Sequence, residues 1–263
     1  MIKRQLMAGL LLLLITPASL FAVNVHVGIR GEGAITRGYG NIGLYTFNGV
    51  FAGVTPEVVA VRSTNQMVQF SGALGVFTQV DITDWYSLVP EVMFAFNRGL
   101  TYAGNYMKSS IVDGPDHPEL TGEMRYSWMA FNFNLINQFT VVRPTEMVSV
   151  HLLGGLSTSV ILGRVKEQFN PDFAGVADAT QGNINMPYNE ANTRFFTPDK
   201  RFDVGIMAGF GAQVDFGNAG RLSVDFRSTW YFLPQIKTYL SPDNGVRMSL
   251  PFSLTLGYSV KVM

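Results

Sequence analysis

Cysteine is absent from the 263 residues. Disulfides, thiolate metal sites, a catalytic thiol and a lipid-modified N-terminal cysteine are thereby excluded. Charge is scarce too. Asp, Glu, Lys and Arg make up 14% of the chain, against about 25% in a typical soluble domain. The two signs cancel to a formal net charge of zero, so there is no basic footprint for nucleic acid. Only three histidines occur, which leaves little for metal or acid–base chemistry. The apolar run Leu6–Ile15 falls well short of the about 20 residues a membrane-spanning helix needs. With Lys3 and Arg4 before it and "SLFA" after Pro17, it has the form of an export signal. Residues 1–22 are expected to be removed after Ala22, leaving 23–263 as the mature chain.

What is abundant is apolar side chain, at 47%, and it recurs at every second position. In "FDVGIMAGFGAQVDF", residues 202–216, apolar residues alternate with Asp203, Gly205, Gly209, Gly211, Gln213 and Asp215. Strict alternation means a strand, because successive side chains point to opposite faces. The glycine-rich second face is a poor coat for bulk water. Seven other segments alternate in the same way. One sets Val23, Val25, Val27 and Ile29 against Asn24, His26, Gly28, Arg30 and Glu32; another sets Met129, Phe131, Phe133 and Leu135 against Ala130, Asn132 and Asn134. The rest lie around 68–80, 87–99, 148–160, 221–232 and 247–262. A tilted strand needs about 9–11 residues to cross a bilayer, and these segments are of that order.

"DITD", "RPTE" and "GNAG" read as tight turns. The other connections, roughly 36–66, 99–125, 163–201 and 233–246, read as long loops. Short and long connections alternating around an even number of strands describe an outer-membrane meander, with short periplasmic turns and long external loops. The expected fold is therefore all-β: an antiparallel up-and-down transmembrane β-barrel of eight strands. The apolar faces would meet lipid and the small polar faces would line a lumen. A soluble barrel would need Lys and Glu on its outer face, and these second faces lack them. Loop one is unusually apolar, with Val50, Phe51, Val54, Val58, Val59 and Val61. A further hairpin there would give ten strands. Trp85, Tyr86, Trp230, Tyr231 and Phe232 stand near strand ends, where an aromatic girdle belongs. Pro90 and Pro251 cannot donate to a ladder and are expected at bulges or strand ends.

"LVPEVMFAFNRG", "FDVGIMAGFGAQVDF" and the closing "LTLGYSV" resemble the outer-membrane β-barrel domain of small porin-like proteins of OmpA or OmpW type. The resemblance covers the mature chain and implies delivery to the bacterial outer membrane by the outer-membrane assembly machinery. It specifies fold better than function. The chain ends "VKVM" where that family commonly ends on an aromatic residue.

Inward ionisable residues include His26, Arg30, Glu32, Glu91, Asp203, Asp215, Asp225, Arg227, Arg247 and Lys261. An eight-stranded interior is barely wide enough for its own side chains, so buried charges there must pair. Two readings follow. The charges form a salt-bridged plug, or Arg30, Glu32, Glu91, Asp225, Arg227 and Arg247 form a polar constriction for small solutes. His151 shares a face with Ser149 and Ser157 but is expected to be a lumenal hydrogen-bonding residue, not half of a Ser–His pair. His117, in "DGPDHPEL", and "GYGNIG" at 38–43 read as loop; the latter lacks the strand–helix context of a dinucleotide site.

The leading functional expectation is a narrow porin-like channel for passive diffusion of small solutes. The alternative is a surface-exposed structural or adhesion barrel, with a plugged lumen and external loops that bind host or envelope ligands. No enzyme activity, cofactor, metal or nucleic-acid partner is expected; outer-membrane lipid is.

Overall fold

The computed structural model describes residues 24–39, 46–47, 59–108, 120–172, 193–198, 200–233 and 247–263. The signal segment, His117, most of "GYGNIG" and most of loop three lie outside the described residues. Eleven strands follow in chain order: β1 (Asn24–Tyr39), β2 (Thr46–Phe47), β3 (Val59–Met67), β4 (Gln69–Asp81), β5 (Tyr86–Lys108), β6 (Leu120–Val142), β7 (Val148–Asp172), β8 (Thr193–Phe196), β9 (Phe202–Asp215), β10 (Arg221–Tyr231) and β11 (Arg247–Lys261). Among the described residues no helix is long and apolar enough to cross a membrane.

They build eight walls. The antiparallel order runs β1, β4, β5, β6, β7, β9, β10, β11 and back to β1. β3 pairs with the far end of β5 and continues the wall that β4 begins. In the same way β8 pairs with β7 and continues the wall of β9. β2 adds only a two-residue pairing to β3. The Val59–Met67 part of loop one thus lengthens an existing wall; Val50, Phe51, Val54 and Val58 lie outside the described residues.

The exterior is apolar. Phe70 is 72% exposed, Phe210 57% and Leu254 43%, with Ile29, Leu74, Phe131, Leu156 and Leu256 beside them. Alternate positions on the same strands are buried and mostly polar or small: Gln69, Ser71, Asn132, Asn134, Ser157, Gln213, Ser253 and Thr255. Oil outside and polarity inside is the arrangement hydrocarbon solvent demands, and closure leaves no edge unpaired in it. At the short-turn end Trp85, Tyr86 and Phe139 stack, with ring centroids 5.2–6.1 Å apart.

Three expectations need correction. First, β5, β6 and β7 run 23, 23 and 25 residues, so much of the expected loop in 99–125 and 163–201 is strand. Second, Tyr231 belongs to the lumen and not the girdle, its hydroxyl 2.9 Å from Ser157 Oγ. Val25, expected outside, is buried where the chain end returns, with Val262 N donating to Val25 O at 2.8 Å. Third, the register slips on the long-loop half. β5 carries an extra residue between Ala95 and Arg98, where Asn97 has φ 53°. β7 bulges at Gly163, φ 66°. β11 carries an extra residue around Pro251, between Phe252 and Ser249. The single extra residue in β5 and in β11 inverts the faces beyond it, so Arg98, Met248 and Leu250 point inward and Arg247 turns out. β7 gains two residues and keeps its phase, with Ile161 and Val165 both inward.

A cation forced into the lipid-facing band should cost most at mid-depth. Phe131→Arg is expected to lower unfolding stability in vesicles by about 2–4 kcal/mol, and Phe216→Arg beside the short turn by about 0–1. Urea titrations of the two variants measure this; equal costs would contradict the assigned exterior.

Candidate functional site: the ion-paired lumen

Half-way along the lumen, Glu91 of β5 stands between two guanidinium groups. Arg30 Nη1 donates to its Oε2 at 2.5 Å, and Arg227 Nη1 reaches Oε1 and Oε2 at 3.1 and 3.2 Å. Asn134 of β6 donates to Oε1 at 2.7 Å. Both arginines also hold Asp225, from Arg227 Nη2 at 2.7 Å and Arg30 Nη2 at 3.5 Å. His151 of β7 lies 2.9 Å from Asp225 Oδ1, and Thr255 of β11 donates to Oδ2 at 3.2 Å. Arg30 further lies 4.1 Å over the ring of Phe77 on β4, a cation–π contact.

Seven of the eight walls supply a side chain to this cluster. The eighth, β9, supplies space. A Cβ at Gly211 would lie 2.4 Å from Asp225 Oδ1 and 2.7 Å from His151 Nε2, inside the hydrogen bond those groups make. Gly257 on β11 is similar, its Cβ position 2.7 Å from Ser223 Oγ and 3.0 Å from Arg30 Nε. This explains these two inward glycines: only a missing side chain lets the flanking walls reach each other across the strand between them.

Two guanidinium groups face two carboxylates, so the cluster balances. Buried charges are tolerable only when each is paired and its remaining polar atoms are bonded, and here pairing runs across the barrel instead of along one wall. Toward the short-turn end the lumen is filled by Phe77, Val89, Ile136, Leu153 and Met207. Beyond them amides meet across walls, with Gln138 Nε2 donating to Gln213 Oε1 at 3.2 Å. At the rim Arg221 binds Asp81 at 2.7 Å and Asp215 at 2.6 Å, and His26 Nε2 lies 3.8 Å from Asp81.

Of the six constriction candidates, Arg30, Glu91, Asp225 and Arg227 gather in one cluster. Glu32 stands apart, paired with Arg98 Nη2 at 2.5 Å. Arg247 is exposed at the long-loop rim, on the wrong side of the Pro251 bulge. Arg98 escaped the sequence pattern because Asn97 shifts it from the outer phase to the inner one. The asparagine was the available signal, since Asn tolerates positive φ. Ser157 donates to Asn134 Oδ1 at 2.6 Å, while His151 Nε2 is turned to Asp225, so they do not form a nucleophile–base pair.

No family model matches the chain, and no curated protein does. Among solved structures it is similar to Ail, the attachment invasion locus protein of Yersinia pestis. That protein in complex with the heparin analogue sucrose octasulfate shows 12% identity over 90% of this chain and 98% of its own, with a TM-score of 0.32. A second structure of Ail gives 12%, 90%, 97% and 0.34. The outer membrane protein OprG from Pseudomonas aeruginosa gives 11%, 89%, 95% and 0.36. At those scores the likenesses carry no weight of their own; strand closure and the apolar exterior decide. This is a small outer-membrane barrel.

Removing one member of the lumenal network strands the others. Glu91→Ala should destabilise the barrel by about 3–5 kcal/mol, because Arg30 and Arg227 stay buried without their shared partner. Glu91→Leu combined with Arg227→Met, which deletes one charge of each sign, should cost clearly less. Denaturant unfolding measures both, and a double variant no better than the single would contradict the pairing argument.

Proposed function

We propose that this protein is a surface-displayed outer-membrane barrel with a closed lumen, whose function is carried by its long-loop end. One observation carries the reading: Glu91, Arg30, Arg227 and Asp225 bridge the lumen from opposite walls and leave no net charge to conduct. The apolar cluster behind them supports it, since water and ions would have to pass Phe77, Val89 and Ile136 as well.

Strand length points to where the work is done. β5 to β7 are about twice as long as the about 9–11 residues a tilted strand spends in a bilayer. The opposite ends close in short turns, so the surplus lies on the long-loop side. It raises the sheet of β3, β5, β6, β7 and β8 beyond the membrane, a platform for binding host or envelope ligands. Export by residues 1–22 and insertion of 23–263 by the outer-membrane assembly machinery complete this reading.

Conductance discriminates this reading from a diffusion channel. Purified folded protein in planar bilayers should be electrically silent, because both the ion-paired cluster and the apolar layer close the lumen. Steady discrete openings in the unaltered protein would establish the channel and overturn the closed-lumen reading.

A further inference from the structure

Among the described residues, the buried side-chain oxygens without a partner fall in one row of the lumen; the other unpartnered buried atoms are nitrogens. Asn132 of β6 pairs in register with Ser159 of β7, and Ser159 pairs with Asp203 of β9. The three lie side by side on adjacent strands, which are about 4.8 Å apart, and the concave wall turns their side chains toward one another. All are inward and deeply buried, at 4%, 1% and 0% exposure. They stand two residues nearer the long-loop end than Asn134, Ser157 and Gly205 on the same strands.

Each of the three keeps an oxygen with no hydrogen-bond partner among the described residues: Asn132 Oδ1, Ser159 Oγ and Asp203 Oδ2. Asp203 itself is firmly placed. Its Oδ1 accepts from Val204 N at 2.7 Å and from Leu233 N at 2.8 Å. The field of Arg247 reaches it, but that guanidinium is exposed at the rim. The other lumenal cations, Arg30, Arg227, Arg98 and Arg221, are occupied by their own carboxylates. Buried polar oxygens without partners are rare and disfavoured, and three in one row define a common ligand chemistry.

We propose that Asn132, Ser159 and Asp203 form a lumenal site for one compact monovalent cation, a primary ammonium group or an alkali metal ion. The donor set explains the choice. Three oxygens, one of them carrying charge, offer only acceptors and a rotatable hydroxyl. An –NH3+ group has three donors and no acceptor, and a small alkali ion seeks the same oxygens. A divalent ion would call for more carboxylate ligands, and no group of three His, Asp or Glu side chains suited to a metal occurs among the described residues. This site goes beyond the closed-lumen reading and is tested without any measurement of conductance.

The test is the midpoint of heat-induced unfolding of the full folded barrel in detergent, read by band shift on a semi-native gel. Methylammonium chloride and potassium chloride are titrated separately, each replacing tetramethylammonium chloride at constant ionic strength. Tetramethylammonium is too bulky and has no N–H to donate. The midpoint should rise and saturate with methylammonium, with potassium, or with both, and the two arms separate an organic ammonium from a metal ion. Asp203→Asn keeps the Oδ1 acceptor for Val204 and Leu233 and should abolish the rise. Ser159→Ala keeps the charge and should shift the half-saturating concentration upward several-fold. If Asp203→Asn fails to fold, the Ser159→Ala shift decides. A midpoint that neither cation moves, or a response unchanged in the variant that folds, would overturn the site.

Discussion

The pairing of β1 with β11, from His26–Lys261 to Tyr39–Arg247, is the constraint from which the other features follow. Closing the sheet satisfies the main-chain groups that lipid cannot, and so permits side chains such as Phe70 and Phe210 to face hydrocarbon. Closure with eight walls also fixes a narrow radius. The interior must then be filled by its own side chains, and any charge placed there must find its counter-charge across a few ångströms. The composition follows from these demands: little charge in total, no net charge, and glycine wherever two walls approach.

Within that radius the lumen is layered. The rim cluster around Arg221, the bridged glutamines, the apolar group around Phe77 and the Glu91 network succeed one another along the axis. Each layer joins walls that are not neighbours in the sheet, so the side chains brace the barrel from inside while the ladders hold it around the circumference. The Asn132–Ser159–Asp203 row differs because one oxygen of each side chain meets no protein partner among the described residues. In the neighbouring layers the carboxylates are paired, and the atoms left over are nitrogens such as Arg30 Nε, Arg227 Nε and His151 Nδ1.

The sequence made the lower, membrane-embedded half of this architecture legible, because a period of two needs only an unbroken ladder. The eight walls, the three short turns and the inward placement of Arg30, Glu91, Asp225 and Arg227 all follow from that period. Reading failed where the ladder slips. Asn97 and Pro251 each mark a one-residue irregularity that inverts the faces beyond it, so Arg98 and Leu250 reverse their expected sides and Arg247 leaves the lumen. Gly163 marks a two-residue bulge that keeps the phase. Above these bulges the inner face turns apolar as well, with Leu100, Trp128, Val165, Met248 and Leu250 buried, and the contrast between faces fades. Continuing strand in β5, β6 and β7 therefore read as loop. Pro251 was a legible warning; the partner of each lumenal charge was not, since spacing in the chain carries no information about which walls meet across the axis.

The whole account stands on which side chains touch lipid. The natural lack of cysteine makes a direct test simple: single-cysteine spin labels at each position from Met129 to Leu135 on β6, in the barrel reconstituted into vesicles. Collision rates with membrane-dissolved oxygen should alternate, high at 129, 131, 133 and 135 and low at 130, 132 and 134. An inverted alternation, or none, would place Phe131 and Phe133 away from the bilayer and contradict the account.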